Sequence, residues 1–225
     1  GWGIAHEIGH VMDAFGKAEV TNNIYSLIGQ TYDGDKNILP SRLEGGAYEG
    51  AFKKVSVGGE GVPNDLFVNL AMYWQLHLAY DDKDSTQFYN QVHKLYRTDE
   101  TVKSFNGMDK FAVAASKVAQ KDLTEFFTRW GVVLSDSAKN TMVKTKEERA
   151  IYYLTDESRR VRLNNSFEGS KNITVTATAT LEDENTNTET DKTKSKKVTI
   201  NITNNSGVSD ENIQGYEILR KSASD

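Results

Sequence analysis

Gly3-Ile4-Ala5-His6-Glu7-Ile8-Gly9-His10-Val11-Met12 stands near the start of the chain and decides most of what the rest can be. It contains the pattern His-Glu-x-x-His. Two histidines four residues apart on a helix project from one face, so His6 and His10 can hold one Zn²⁺ in adjacent coordination positions. Glu7 stands beside the first of them, where a general base can activate water and pass its proton to a leaving amine. Ile4, Ile8, Val11, Met12 and Phe15 recur at helical spacing and carry no charge, which predicts a buried active-site helix stopped by Gly16. A catalytic zinc takes a third protein ligand and keeps one position open. Glu19, nine residues beyond His10 and across the Gly16 stop, is placed to supply it from the first turn of a second helix. Glu44 and Glu49 are later alternatives. Asp13 is expected near the histidine face, orienting one of the rings.

Composition narrows the remaining classes. The 225 residues carry 27 basic and 32 acidic side chains, a net charge of -5, without the basic stripe that nucleic-acid binding requires. With no cysteine, any metal must be held by His, Asp or Glu. The longest apolar runs fall far short of the roughly 20 residues that span a bilayer, so no membrane insertion is expected. The chain opens in mid-motif with Gly1-Trp2-Gly3, and reads as a piece of a longer polypeptide.

Hydrophobic periodicity changes near residue 150. Before it, helices are predicted from Glu19 to about Gly29 (Val20, Ile24, Leu27 and Ile28 on one face), from an Asn64-Asp65 cap (Phe67, Leu70, Ala71, Trp74 and Leu78 inward), and from Ser85 (Phe88, Val92, Leu95 and Tyr96 inward). Further helices are expected over about 108–119, 121–130 and 135–143. After it the period is two: Ile173, Val175, Ala177, Ala179 and Leu181, then Val198, Ile200 and Ile202. The polar segment 182–197 reads as a long hairpin loop, and Tyr216 to Arg220 as a last strand. The expected fold class is multi-domain α + β. A mainly α-helical metallopeptidase subdomain spans 1–150, and a small all-β, sandwich-like module spans 151–225.

Trp2 to His10, followed by Glu19-Val20-Thr21-Asn22-Asn23-Ile24-Tyr25-Ser26, resembles the enhancin-like, mucin-degrading zinc metallopeptidases. That family shows His-Glu-x-x-His with a Glu eight or more residues beyond the second His; here eight residues, Val11 to Ala18, intervene. The likeness runs more loosely through Trp74-Gln75-Leu76 and Phe126 to Gly131, to about residue 150. It implies a gluzincin-type zinc endopeptidase, secreted or surface-attached, acting on mucin-like glycoproteins. By it His6, His10 and Glu19 match the metal ligands and Glu7 the general base. It also implies a small sheet ahead of this helix, whose edge strand lines the substrate cleft. Gly215 to Arg220 weakly resembles a late strand of fibronectin type III-like sandwiches.

Other residues have plainer readings. Trp74 and Trp130 lie on apolar helix faces and are expected in the core, whereas Trp2, beside the metal motif, could stack on a sugar. His77 and His93 have no partner at metal spacing. Tyr25, Tyr48 and Tyr73 are candidates for a hydrogen-bond donor to the transition state, each more simply structural. Gly58 to Gly61 is a flexible loop, and Asp81-Asp82-Lys83-Asp84 a solvated helix end rather than a calcium loop. Two other functions compete: a glycan- or mucin-binding adhesion module with a vestigial motif, and a structural zinc site closed by a fourth ligand such as Asp13.

Overall fold

The computed structural model describes residues 1–32, 39–81, 87–164, 175–183 and 196–204. They divide into two compact units, Gly1–Ser166 and Phe167–Asp225.

The first unit is helical and is organised around one buried helix. α1 (Trp2–Met12), α2 (Ala18–Thr21) and α3 (Asn23–Thr31) come first, then α4 (Ala47–Val57) and α5 (Leu66–Tyr80). α6 (Gln87–Thr98), α7 (Glu100–Lys103), α8 (Gly107–Ala119), α9 (Thr124–Arg129), α10 (Asp136–Thr141) and α11 (Asp156–Asn164) complete it. Asp65 caps α5 by accepting the Val68 N–H at 2.9 Å, as the sequence predicts. Every residue from Val68 to Ala79 is buried, so α5 is covered on all sides. It packs against α2, α3, α4 and α6, with α8 behind α6. Trp74, Trp130, Tyr73, Phe111 and Phe127 fill the centre, each large apolar side chain contributing about 1.5–3 kcal/mol by leaving water.

Polar groups in this core are tied together. Asp156, at the start of α11, accepts from Trp74 Nε1 at 2.8 Å, Tyr48 Oη at 2.8 Å and Ser41 Oγ at 2.5 Å. Burial, reinforced by the Asp156 charge, pushes the Tyr48 phenol well above its ordinary pKa. Trp130 Nε1 donates to Gln75 Oε1 at 2.9 Å, and Gln75 Nε2 donates to the Tyr152 carbonyl at 2.7 Å. Residues 151–164, assigned from periodicity to the β module, therefore pack with the helices.

Three local expectations are corrected, and one helix, α4, was not predicted. Ile4, Ile8, Val11 and Met12 are 70, 49, 88 and 48% exposed; α1 packs on α3 through the side that carries the buried Gly9 instead. The helix predicted from Glu19 is two helices broken at Asn22, with Ile24 and Leu27 buried. α4 was hidden by its glycines: Gly46 caps it at φ 115°, and a Cβ on Gly50 would lie 2.6 Å from Val68 Cγ2, so the glycine lets α4 close on α5. Asp81 is buried rather than solvated, bonded to His77 Nδ1 at 2.6 Å and to the Phe88 N–H at 2.8 Å.

In the second unit, β1 (Val175–Asp183) and β2 (Lys196–Asn204) form an antiparallel pair, with Val175 opposite Asn204 and Asp183 opposite Lys196. The strands extend into the segment read as loop. In the register Glu182 is paired with Lys197 and Asp183 with Lys196. The Tyr216 to Arg220 strand and the 184–195 loop tip lie outside the described residues.

Candidate metal centre

α1 ends at Met12 because the chain turns out of helix at Asp13, whose N–H closes on the Gly9 carbonyl at 2.8 Å. Asp13 then fastens the turn. Its carboxylate accepts the Phe15 N–H at 3.0 Å and the buried Thr21 Oγ1 at 2.8 Å, so the end of α1 is bound to the end of α2. This corrects the expectation that Asp13 orients a histidine. Gly9 determines how closely the two elements approach: a Cβ there would lie 2.2 Å from the Asn22 carbonyl oxygen and 2.8 Å from its carbon. With no side chain at Gly9, the backbone after α2 lies directly against α1.

That approach brings three predicted residues together. His6 Nε2 lies 3.2 Å from His10 Nε2 and 3.6 Å from Glu19 Oε2, and His10 Nε2 lies 3.5 Å from Glu19 Oε1. Among the described residues this is the group of three or more ligand-type side chains able to hold a metal ion. The His6, His10 and Glu19 side chains are 23, 34 and 66% exposed, so the cluster faces solvent. Glu7 is exposed on α1 next to His6. Glu44 and Glu49 are elsewhere, paired with Arg160 at 3.0 Å and Lys53 at 2.9 Å.

The hydrogen bonds fix which nitrogen of His6 is available. Asn23 Nδ2 donates to the Glu19 carbonyl at 2.8 Å, and a carbonyl can only accept. Asn23 Oδ1 therefore faces His6 Nδ1, at 2.9 Å, and that nitrogen carries the proton. His6 Nε2 is left with its lone pair toward Glu19 and His10. Asn22 Nδ2 lies 3.1 Å from His10 Nε2 and donates there. Two imidazole lone pairs and a carboxylate thus converge, an arrangement that calls for a cation. Zinc fits it: bonds of about 2.0–2.1 Å at tetrahedral angles space ligand atoms by roughly 3.4 Å, and the separations here are 3.2, 3.5 and 3.6 Å.

Sequence reasoning missed Asn23 and Asn22. The signal was present, because Asn23 lies four residues beyond Glu19 and so returns to the same helical face. The tyrosine candidates have other occupations. Tyr25 Oη is bonded to His93 Nε2, Tyr48 Oη donates to Asp156, and Tyr73 Oη donates to Met108 Sδ at 3.5 Å. Trp74 and Trp130 are core residues, as expected. Trp2 is half-buried against Phe67, with the Arg42 guanidinium 4.9 Å from its ring centroid.

A family model described as peptidase M60, enhancin and enhancin-like, matches residues 1–131, a span that includes the whole cluster. The chain belongs to this M60 family. Solved structures agree with the assignment. A protein of unknown function from Bacillus anthracis str. Ames is 36% identical with a TM-score of 0.54, over 69% of this chain and 33% of that one. The ZmpB metallopeptidase from Clostridium perfringens is 26% identical with a TM-score of 0.57, over 90% and 38%. The catalytic module of the metalloprotease ZmpA from Clostridium perfringens, at 21% identity and a TM-score of 0.56 over 91% and 38%, shares the fold. The M60 chain thus spans about a third of the length of these structures. No curated protein matches it. Among the described residues no helix is long and apolar enough to cross a membrane.

Proposed function

We propose that this M60 chain carries the active-site helices of a zinc-dependent endopeptidase that hydrolyses peptide bonds of mucin-like glycoproteins. His6, His10 and Glu19 hold the metal and Glu7 is the general base. The observation that carries this reading is the convergence of two Nε2 lone pairs and the Glu19 carboxylate within 3.2–3.6 Å. Bound there, zinc supplies Lewis acidity, polarising a carbonyl oxygen and lowering the pKa of water towards about 7.

The chain's own residues do the rest. Asn23 holds His6 with Nε2 presented, and the Asp13–Thr21 bond holds Glu19 within reach of both histidines. Glu7, exposed beside His6, takes the proton of the attacking water and delivers it to the departing amine nitrogen. Glycoprotein substrates are supported by the likeness of Trp2 to His10 and Glu19 to Ser26 to the mucin-degrading group, and by the half-buried indole of Trp2 one helical turn before His6. A secreted or surface location and a small sandwich-like role for the second unit belong to the same reading. The net charge of -5 gives no support for nucleic acid.

The test compares wild type with Glu7→Gln, both zinc-loaded, on a mucin-domain glycoprotein. Glu7→Gln should retain one zinc per chain and lose about 10²–10⁴-fold in cleavage rate. A wild-type protein that binds mucin with zinc in place and never cuts it would replace the peptidase with an adhesion module.

A further inference from the structure

His6 has its tautomer set by Asn23, but no backbone or carboxylate partner is seen for His10 Nδ1 among the described residues. What holds His10 is Asn22. This side chain is fully buried, although the carboxamide is polar and belongs to a residue type usually found in water. Its Nδ2 lies 3.1 Å from His10 Nε2. It also lies 3.2 and 3.4 Å from the two ring nitrogens of His6. Near-equal distances to both nitrogens of one imidazole place Nδ2 over the ring face, since a position in the ring plane would collide with the carbon between them. Asn22 therefore packs its amide on the face of His6 and lies within hydrogen-bond distance of His10 Nε2. Among the described residues its Oδ1 has no partner, and a buried carbonyl oxygen left unpaired is unfavourable.

We propose that Asn22 is a displaceable placeholder: its amide N–H occupies the His10 Nε2 lone pair until the metal takes it. An N–H donor can be accepted only by an unprotonated nitrogen, so the contact forces the proton of neutral His10 onto Nδ1, the tautomer a metal at Nε2 requires. One lone pair serves one partner, so metal and amide exclude each other. Asn22 and Asn23 divide the work, Asn22 setting His10 and Asn23 setting His6. Both are held by one backbone segment that Gly9 admits against α1. Asn22 is a positioning residue, and the inference rests on His6 and His10 being metal ligands.

Ring-nitrogen NMR of the ¹⁵N-labelled chain, stripped of metal with chelator at a pH about two units above the ordinary histidine value, reads the tautomers directly. Wild type should show His6 and His10 both as the Nδ1–H form. Asn22→Ala should turn His10 towards the Nε2–H form favoured in water and leave His6 unchanged, while Asn23→Ala should do the reverse. Because the amide must leave the lone pair before the metal can take it, zinc affinity by chelator competition should rise about 2- to 10-fold in Asn22→Ala. A wild-type His10 in the Nε2–H form overturns the proposal without any variant, as does an Asn22→Ala protein with unchanged His10 signals and unchanged affinity. If wild type instead binds no zinc while both histidines are Nδ1–H, the metal assignment falls and the tautomer clamp stands.

Discussion

Replacing Gly9 with alanine tests whether the ligand geometry is imposed by backbone packing. The new methyl would lie 2.2 Å from the Asn22 carbonyl oxygen and 3.0 Å from Asn22 Cα. These are backbone atoms that no rotamer change can move aside. Relief to ordinary contact requires the segment after α2 to retreat from α1 by roughly 1 Å. Glu19 and Asn22 would retreat with it, and the Glu19 contacts of 3.5 and 3.6 Å would open beyond what two metal bonds can span. Overpacking costs about 1–3 kcal/mol, partly offset by the gain of roughly 1 kcal/mol from Gly to Ala within a helix. Gly9→Ala should therefore lose little stability, about 0–2 kcal/mol, yet bind zinc at least about 10-fold more weakly. Gly3→Ala is the control: it lies on the same helix with nothing within 4 Å, and should be neutral or slightly stabilising with unchanged zinc affinity. Thermal denaturation and chelator competition on the two variants decide the matter. Wild-type zinc affinity in Gly9→Ala would refute the packing argument.

Two further outcomes follow from the described geometry. Free zinc at about 100 times its Kd should stabilise the chain by about 2.7 kcal/mol, raising Tm by roughly 5–10 °C for a chain of this size; chelator should abolish the rise, and no rise in wild type would remove the metal site. Burial holds His77 below its ordinary pKa, an effect larger than the opposing pull of Asp81, and burial lowers His93 likewise, aided by Arg97. Below pH about 6.5 the unfolded chain then takes up protons that the folded chain refuses, so stability falls as pH drops from 7 to 5. His77→Gln should make that decline shallower in denaturant titrations, and an unchanged slope would show that His77 titrates normally.

The helix α1 with its His-Glu-x-x-His pattern was legible because that pattern is local. Four residues of spacing determine which face two histidines share, and nothing distant alters that. α5 was legible for the same reason, since Asp65 and the apolar run after it need no partner to be read. The direction in which α1 faces its neighbours was not. Its apolar residues point one way by periodicity, but the contact that locates it is made by Gly9, which has no hydrophobicity to register on any scale. α4 was lost similarly, because Gly46 and Gly50 look like loop until Val68 is seen against them. Asp13 was read to the correct neighbourhood and the wrong partner: Thr21 lies eight residues away, beyond the reach of helical periodicity.

The distance between His10 and Glu19 along the chain leaves the angle between their helices undetermined, so the ligand set depends on residues that are not ligands. Three independent contacts supply that angle. Gly9 lets the Asn22 backbone close on α1, Asp13 bonds Thr21, and Asn23 joins the Glu19 carbonyl to His6 Nδ1. Each connects α1 to the α2–α3 segment through protein atoms alone. A site built this way differs from a zinc finger, where the metal supplies the folding energy and the ligands are unordered without it. On the proposed reading, contacts between protein atoms bring the three side chains together, and the binding energy of the metal is left to polarise a substrate.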